Sequence, residues 1–199
     1  MPNMIKTAFS LGFWHPFGPH SGESAKAIVV RKANEIRKNG WTLWSFQHRL
    51  ALRNWYKEII EAQPEVVYVF CSDGKGRDPH DEHGESKVVH CQRYHAADAG
   101  DNEAWMDIPS SIQVPHTFRG KNNCASAFIV QRILSPDQIG EFVIPPVEWL
   151  RKDGSWRPER IPTRGEYLIR TAKTGGTLTR KCGAILLLRR PYLAIVRAD

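Results

Sequence analysis

Residues 52–71 read LRNWYKEIIEAQPEVVYVFC, and this stretch predicts a helix that leads directly into a buried strand. The apolar side chains before the proline recur at the spacing of one helical face, and they are Leu52, Trp55, Tyr56, Ile59 and Ile60. Pro64 ends the helix, because the residue before a proline is disfavoured in helical geometry. The continuous apolar run over residues 66–71 has the length of a central strand.

Upstream of this stretch the sequence predicts two strands separated by a loop and a helix. Residues 5–13 have the composition of a first strand, and residues 15–22, rich in Pro, Gly and His, that of a structured loop. Residues 41–46 predict a short strand, because bulky and β-branched side chains follow a glycine directly.

The sequence contains a capping residue for each end of the helix between those strands. Ser21 or Ser24 can cap its start, it extends to about Lys38, and Gly40 supplies the stop. Its apolar face consists of Ala25, Val29, Ala33 and Ile36. Its basic residues are predicted to face elsewhere, and they are Lys26, Arg31, Lys32, Arg37 and Lys38.

The rest of the chain predicts strands and loops. Residues 72–74 form a turn and residues 75–86 a long polar loop. Apolar segments predict strands at residues 87–95, 125–134, 167–170, 184–189 and 192–197. Two early helices followed mainly by strands indicate an α+β fold with a curved mixed sheet or a β-barrel. Its 199 residues contain no evident linker or repeat, which predicts a single domain.

Positive charge is concentrated at the C-terminal end. Residues 151–199 contain twelve Lys or Arg against four Asp or Glu, a balance of +8, whereas residues 1–150 have a balance of −1. Such a segment attracts polyanions, of which nucleic acid is the commonest, although it can also serve solubility alone. The first interpretation predicts phosphate contacts from Arg170, Lys173, Arg180 and Lys181.

Composition also indicates the compartment. No apolar run reaches the roughly 20 residues that span a bilayer, and the N-terminus lacks the pattern of a secretory signal. The cysteines form no Cys-x-x-Cys pair, which disfavours a zinc ribbon or a thioredoxin-type site. We therefore expect a cytoplasmic protein with reduced thiols, no cofactor and no membrane partner.

Four of the seven tryptophans are candidates for a ligand pocket. Trp41 and Trp44 bracket the predicted short strand, whereas Trp14 and Trp105 lie in predicted loops. Indole faces can hold a flat base, and each stacked base is typically worth about 1–3 kcal/mol. The alternative is that Trp41 and Trp44 pack inside and outside the sheet. A loop tryptophan such as Trp105 favours the pocket.

The order of these segments resembles the central portion of the PUA-like superfamily, with EVE, YTH and ASCH domains as the nearest comparison. The resemblance covers about residues 41–134, through Leu43-Trp44-Ser45, the amphipathic helix, the strand ending in Ser72-Asp73, the strand to Tyr94, and Trp105-Met106-Asp107. EVE and YTH domains are small α+β proteins with a curved barrel, and they hold a modified nucleobase in a pocket that includes tryptophan. By resemblance Trp44 would be one wall, Trp105 a second wall, and Asp73 could bond a base edge. The insertion at residues 75–86 departs from the tight turn usual there.

An enzymatic alternative is carried by Asp73, Glu85 and Lys87, whose spacing is similar to that of the PD-(D/E)xK nucleases. In that family two carboxylates hold Mg²⁺ and the lysine positions or activates water. Glu85 lies in a predicted loop, whereas the family places this glutamate in an apolar strand.

Metal binding is a further alternative for the polar loop. Its candidate ligands are Asp78, His80, Asp81 and His83, with His90, Cys91 or His95 from the adjoining strand. Neighbouring strand residues such as His90 and Cys91 point to opposite faces, so both cannot bind one ion. A solvated loop explains the same residues.

The leading hypothesis is therefore a nucleic-acid-binding domain without catalytic activity. It would recognise a base or modified base of RNA or DNA between tryptophans, while the basic C-terminal strands hold the phosphates. A metal-dependent nuclease stays open as the alternative.

Overall fold

The computed structural model of the protein describes residues 10–46, 52–73, 88–97, 104–118, 123–134, 143–144, 146–158, 161, 165–172, 178–179 and 182–198. Within these ranges it has two helices and fourteen strands, which confirms the mixed α+β class. The chain divides into two compact units. Unit 1 comprises Met1–Phe17, Leu50–Gly74 and Ile133–Leu187, and unit 2 comprises Gly18–Arg49, Lys75–Arg132 and Leu188–Asp199. The single domain over residues 1–199 stays a prediction.

The elements follow one another in this order. The first half of the chain contains β1 (Gly12–Phe17), α1 (Ala25–Asn39), β2 (Thr42–Phe46), α2 (Leu52–Ala62), β3 (Tyr68–Asp73), β4 (Val88–His90) and β5 (Arg93–Ala96). The second half contains β6 (Met106–Asp107), β7 (Pro115–Thr117), β8 (Cys124–Leu134), β9 (Val143–Ile144), β10 (Val147–Leu150), β11 (Trp156–Arg157), β12 (Tyr167–Thr171), β13 (Leu178–Thr179) and β14 (Cys182–Arg197).

In unit 1 the strands are ordered β11-β10-β12-β1-β3-β14. β1 pairs with β3 in parallel and with β12 in antiparallel. The position of β3 between β1 and β14 confirms the predicted central strand. One face of this sheet is filled by a buried cluster that contains Trp14, Phe70, Ile169 and Ile185.

The helix α2 supplies the other apolar surface of unit 1. Its buried side chains are Trp55, Tyr56 and Ile59, as the helical spacing predicts, and the Trp55 ring lies 5.1 Å from the ring of Phe13 in β1. Burying aromatic surface of this size is among the larger stabilising contributions a helix can make. Ile60, at the edge of the same stripe, is exposed.

In unit 2 the strands are ordered β2-β8-β14-β5-β6, and β4 pairs with β7 separately. Its buried cluster includes Leu43, Val114, Ile129 and Val196, with Trp41 and Tyr94 packed against it. The described pairings do not close the sheet of either unit into a barrel.

The helix α1 begins and ends as the sequence predicts. Ser24 is the N-cap, and its hydroxyl accepts a hydrogen bond from the amide of Ala27. Gly40 adopts a left-handed conformation with φ of 80° and donates its N–H to the carbonyl of Ile36. The prediction for Lys32 is wrong: Lys32 does not face solvent, and it is buried together with Ile28 and Glu35.

The first strand also differs from its prediction. Residues 5–9 of the predicted strand lie outside the described residues, and β1 continues through Pro16 into the predicted loop. The proline is tolerated because the pairing of β1 with β12 stops at Trp14, so Pro16 is paired on the β3 side alone.

Two further strand boundaries are corrected. The predicted strand at residues 87–95 is interrupted at Cys91 and Gln92, where the chain changes partner from β7 to β14. The predicted strands at residues 184–189 and 192–197 are one strand, β14. Pro191 lies between the residues that pair with β3, which end at Leu187, and those that pair with β5, which begin at Ala194.

Candidate functional site

Basic and aromatic side chains meet on one face of β5 in unit 2. In the strand register Arg93 is paired with Arg197 of β14 and with Asp107 of β6. Because alternate residues of a strand share a face, His95 lies on the same side as Arg93. We call Arg93, His95, Trp105 and Arg197 the aromatic–basic cluster.

Trp105 is the centre of this cluster. The guanidinium carbon of Arg197 lies 4.5 Å from the centroid of the Trp105 ring, within the range of a cation–π interaction. The ring of His95 meets the same indole edge to face, with centroids 4.4 Å apart and an interplanar angle of 82°. Trp105 is half-buried, so the residue keeps part of its surface in contact with solvent.

The orientation of His95 is fixed by a backbone contact. Its Nδ1 lies 2.7 Å from the carbonyl oxygen of Ala96. A carbonyl can only accept, so Nδ1 carries the hydrogen and, in the neutral ring, Nε2 is left as an acceptor. The cluster therefore offers guanidinium donors, an indole face and an imidazole acceptor on one surface.

The ion pair between Arg93 and Asp107 lies at the solvent-exposed side of the cluster. Arg93 Nε lies 3.7 Å from Oδ1 of Asp107, and the Asp107 side chain is almost fully exposed. An ion pair of this length in water is worth less than about 1 kcal/mol. Asp107 therefore holds Arg93 only weakly at this surface.

Trp41 lies on the opposite face of the same strand. Its ring packs 5.3 Å from the ring of Tyr94, at the edge of the buried cluster of unit 2. Tyr94 and His95 are consecutive in β5, so their side chains point to opposite faces. Trp41 and Trp105 therefore do not line a common pocket.

Trp44 and Trp14 are interior residues of their respective units. Trp44 is 5% exposed in β2, and because it alternates with Leu43 it faces away from the buried cluster that contains Leu43 and Trp41. Trp14 is 1% exposed within the core of unit 1. Neither indole presents a face to solvent in this conformation.

Of the four predicted phosphate ligands, the described residues contain Arg170 alone. Its Nε donates to Oε2 of Glu148 at 2.8 Å, and its guanidinium lies 4.3 Å from the centroid of the Trp156 ring. The charge of Arg170 is thus offset by a carboxylate. Lys173, Arg180 and Lys181 lie outside the described residues.

The residues of the nuclease alternative are placed only in part. Asp73 is the last residue of β3, and its side chain is outside the described structure, as are Glu85 and Lys87. The described part of the chain contains no group of three His, Cys, Asp or Glu side chains that could hold a metal ion.

The predicted metal loop, with Asp78, His80, Asp81 and His83, lies outside the described residues. The three candidate ligands of the adjoining segment lie in different environments. His90 is exposed, Cys91 is buried among apolar side chains, and His95 belongs to the aromatic–basic cluster.

Sequence reasoning missed the basic side of the cluster, Arg93 and Arg197. A signal was present in the alternation Arg93-Tyr94-His95, in which polar residues flank an aromatic one at the two-residue period of a strand. The partner across the sheet, Arg197, could not be found from the sequence, because it is 104 positions away from Arg93.

A second polar feature of unit 2 is buried beneath α1. Lys32 Nζ donates to Oε2 of Glu35 at 2.9 Å, to the hydroxyl of Thr42 at 3.3 Å and to the carbonyl of Gln113. The Thr42 hydroxyl also donates to Glu35. Burial lowers the pKa of Lys32 to about 8, against the opposing effect of Glu35.

Arg31 extends this buried network to the surface. It donates to both carboxylate oxygens of Glu23, to Glu35 at 2.9 Å and to the carbonyl of Gln113. The hydrogen bond from Arg31 is the main cause that lowers the pKa of Glu23. Arg31 and Lys32 together fasten α1 to the segment that contains Gln113.

No family model, no curated protein and no solved structure matches this chain. Among the described residues, none of the helices is long and apolar enough to cross a membrane.

Proposed function

We propose that the protein binds single-stranded nucleic acid through the aromatic–basic cluster, with a base stacked on Trp105 and phosphates held by the arginines. The observation that carries this proposal is the position of Arg197 over the Trp105 ring, beside His95. Stacking on an aromatic side chain contributes about 1–3 kcal/mol per base. A guanidinium is at the same time a strong donor to phosphate.

The proposal assigns base stacking and phosphate binding partly to other residues than those predicted from the sequence. Trp105 keeps its role as a wall for the base, whereas Trp44 and Trp14 are interior residues. In this proposal Arg93 and Arg197, which are paired in the strand register, bind phosphate. Arg170, which the sequence predicted for this role, pairs with Glu148. Roles for Lys173, Arg180 and Lys181 remain part of the proposal.

The resemblance to EVE and YTH domains adds two finer elements to the proposal. One is a curved, barrel-like sheet of the PUA-like type, for which the succession β2, α2, β3 and β5 is the support. The other is a modified base as the preferred ligand. A cytoplasmic location belongs here too, and it is supported by the free thiols of Cys71, Cys91, Cys124 and Cys182.

Binding of labelled oligonucleotides of about twelve nucleotides, a length within the range of known single-strand sites, tests this function. Fluorescence anisotropy is measured for the wild type, for Trp105→Ala and for Trp156→Ala, which removes an indole from a similar Arg–Trp contact in unit 1. We expect Trp105→Ala to weaken binding about 5- to 150-fold, the equivalent of one lost stack, and Trp156→Ala to weaken it less than about twofold.

Equal losses in the two variants would contradict the proposed site. Absence of wild-type binding to both RNA and DNA at low salt would contradict the function itself. Repeating the titration with methylated and unmethylated bases then tests the modified-base element separately.

A further inference from the structure

A groove with a positive rim runs along α1 in unit 2. It has a volume of about 690 Å³ and lies between the helix and the segment around Ser111 and Gln113. Lysines are present on its lining towards both ends of the helix, at Lys26 and Lys38, and Asn34 lies between them.

The walls of the groove are held in place by the buried network. Arg31 and Lys32 both donate to the carbonyl of Gln113, and the amide of Gln113 donates to Oε1 of Glu35 at 3.1 Å. Ser111 adds a hydrogen bond to the Asn39 side chain at 2.8 Å. Removing one member of a buried ion pair leaves an uncompensated buried charge, so the two walls are firmly joined.

The network also decides which charges are available. Glu23 offsets Arg31, and Glu35 offsets Lys32, so these four groups satisfy one another. In the described part of the chain neither Lys26 nor Lys38 has a carboxylate partner, and both are exposed. The uncompensated charge of the groove is therefore that of its two lysines.

The spacing of the lysines fits an extended polyanion. They are twelve positions apart, which corresponds to about 18 Å along a helix. Phosphates recur every few ångströms along a nucleic-acid backbone, so a strand that follows the groove would place several of them between the two lysines. Side-chain amides are common phosphate partners as well, and the NH2 group of Asn34 can donate while its Oδ1 accepts from Arg37.

We propose that this groove is a second nucleic-acid contact that holds the sugar–phosphate backbone through Lys26 and Lys38 without reading bases. The inference rests on the proposed function and adds a positioning surface to the same unit. An acidic protein segment is the less favoured occupant, because the guanidinium of Arg31, the group suited to a carboxylate, is already engaged by Glu23.

The test compares the salt dependence of binding in three variants. Lys26→Gln combined with Lys38→Gln removes both groove charges, Lys57→Gln is the control because Lys57 is an exposed lysine of α2, and Trp105→Ala removes the proposed stack. We expect the double variant to reduce the slope of log K against log salt by about 1.4–1.8, the value for two lost phosphate contacts. Lys57→Gln and Trp105→Ala should leave the slope unchanged, and Trp105→Ala alone should lower affinity at every salt concentration.

Three other results would contradict the groove proposal, and they can be told apart. If the double variant has the salt slope of the wild type while Trp105→Ala still weakens binding, the proposed function stands and the proposed groove contact is contradicted. Loss of poly-glutamate binding in the double variant, with oligonucleotide binding unchanged, overturns it in favour of an acidic protein partner. Absence of oligonucleotide binding by the wild type overturns both.

Discussion

Tyr94 and His95 are consecutive residues of β5, and their rings contact different tryptophans on opposite faces of the strand. Tyr94 packs against Trp41 at 5.3 Å, and His95 meets Trp105 at 4.4 Å. The inner pair borders the buried cluster of unit 2, and the outer pair joins two arginines. One strand thus separates an aromatic pair that borders the core of the unit from the pair at which we propose that the ligand binds.

Trp41→Ala is expected to lower mainly the stability of the protein, and Trp105→Ala to weaken mainly its binding of oligonucleotides. The first removes core contacts and should lower the free energy of unfolding by about 2 kcal/mol, less than a fully buried tryptophan because Trp41 is half-buried. The second should lower stability less than the first, because Trp105 packs against Arg197 and His95 and not against the buried cluster, and it should weaken oligonucleotide binding. Urea unfolding and anisotropy measured on both variants check the prediction, and it fails if Trp41→Ala impairs binding as much as Trp105→Ala does.

Arg197→Gln and Arg170→Gln compare two arginines that each lie over a tryptophan. Arg197 should contact phosphate, so its loss is expected to reduce the salt slope of binding by about 0.7–0.9. Arg170 is paired with Glu148, so its loss should cost less than about 1 kcal/mol of stability and leave the slope unchanged. Anisotropy titrations at several salt concentrations measure both slopes, and a reduced slope for Arg170→Gln alone would reinstate the C-terminal phosphate site.

Lys32 is expected to make stability depend on pH in the alkaline range. Burial lowers its pKa from 10.5 to about 8, so between these values the unfolded chain binds more protons than the folded protein. The free energy of unfolding should therefore rise with pH across this window, by up to about 3 kcal/mol for this group.

The comparison with Lys32→Met isolates this effect. Burial also raises the pKa of Cys91 and Tyr94, which opposes the trend at high pH, but these groups are common to both proteins. Denaturant unfolding from pH 7 to pH 10 should show the difference between wild type and variant shifting in favour of the wild type. A difference that does not change with pH would show that Lys32 is not buried as a charged group.

Several parts of this fold were predictable because they depend on local pattern. The caps of α1 at Ser24 and Gly40 and the apolar stripe of α2 are written in neighbouring residues. The burial of Lys32 was not predictable, since it depends on the carbonyl of Gln113, 81 positions away. A lysine at that position is assigned to the surface unless its distant partner is known.

The candidate site shows the same division. Trp105 was found because a tryptophan in a polar segment is unusual. Trp41 and Trp105 are separated because they pack on opposite faces of β5. Which face each tryptophan contacts is determined by the pairing register of the strands. Pro191 predicted a strand break for a similar reason, because the change of pairing partner along β14 is not encoded near the proline.

Gly40→Ala and Gly183→Ala provide a test of the described backbone. Gly40 has a φ of 80°, so an alanine there is strained although the space around it is open, and stability should fall by about 1 kcal/mol. At Gly183 an added methyl group would lie 3.5 Å from the Phe17 ring, an ordinary contact, and stability should change little. Thermal unfolding of the two variants distinguishes them, and equal losses would contradict the conformation of Gly40.

The most direct test of the central claim is ¹⁹F NMR of the protein labelled with 5-fluorotryptophan, titrated with a single-stranded oligonucleotide. Single Trp→Phe variants assign the resonances of Trp14, Trp44 and Trp105. The account predicts that the Trp105 resonance shifts with the binding isotherm while those of Trp14 and Trp44, both interior residues, stay in place. A Trp105 resonance that is unmoved at saturation, or a shift at Trp44 in its stead, would contradict it.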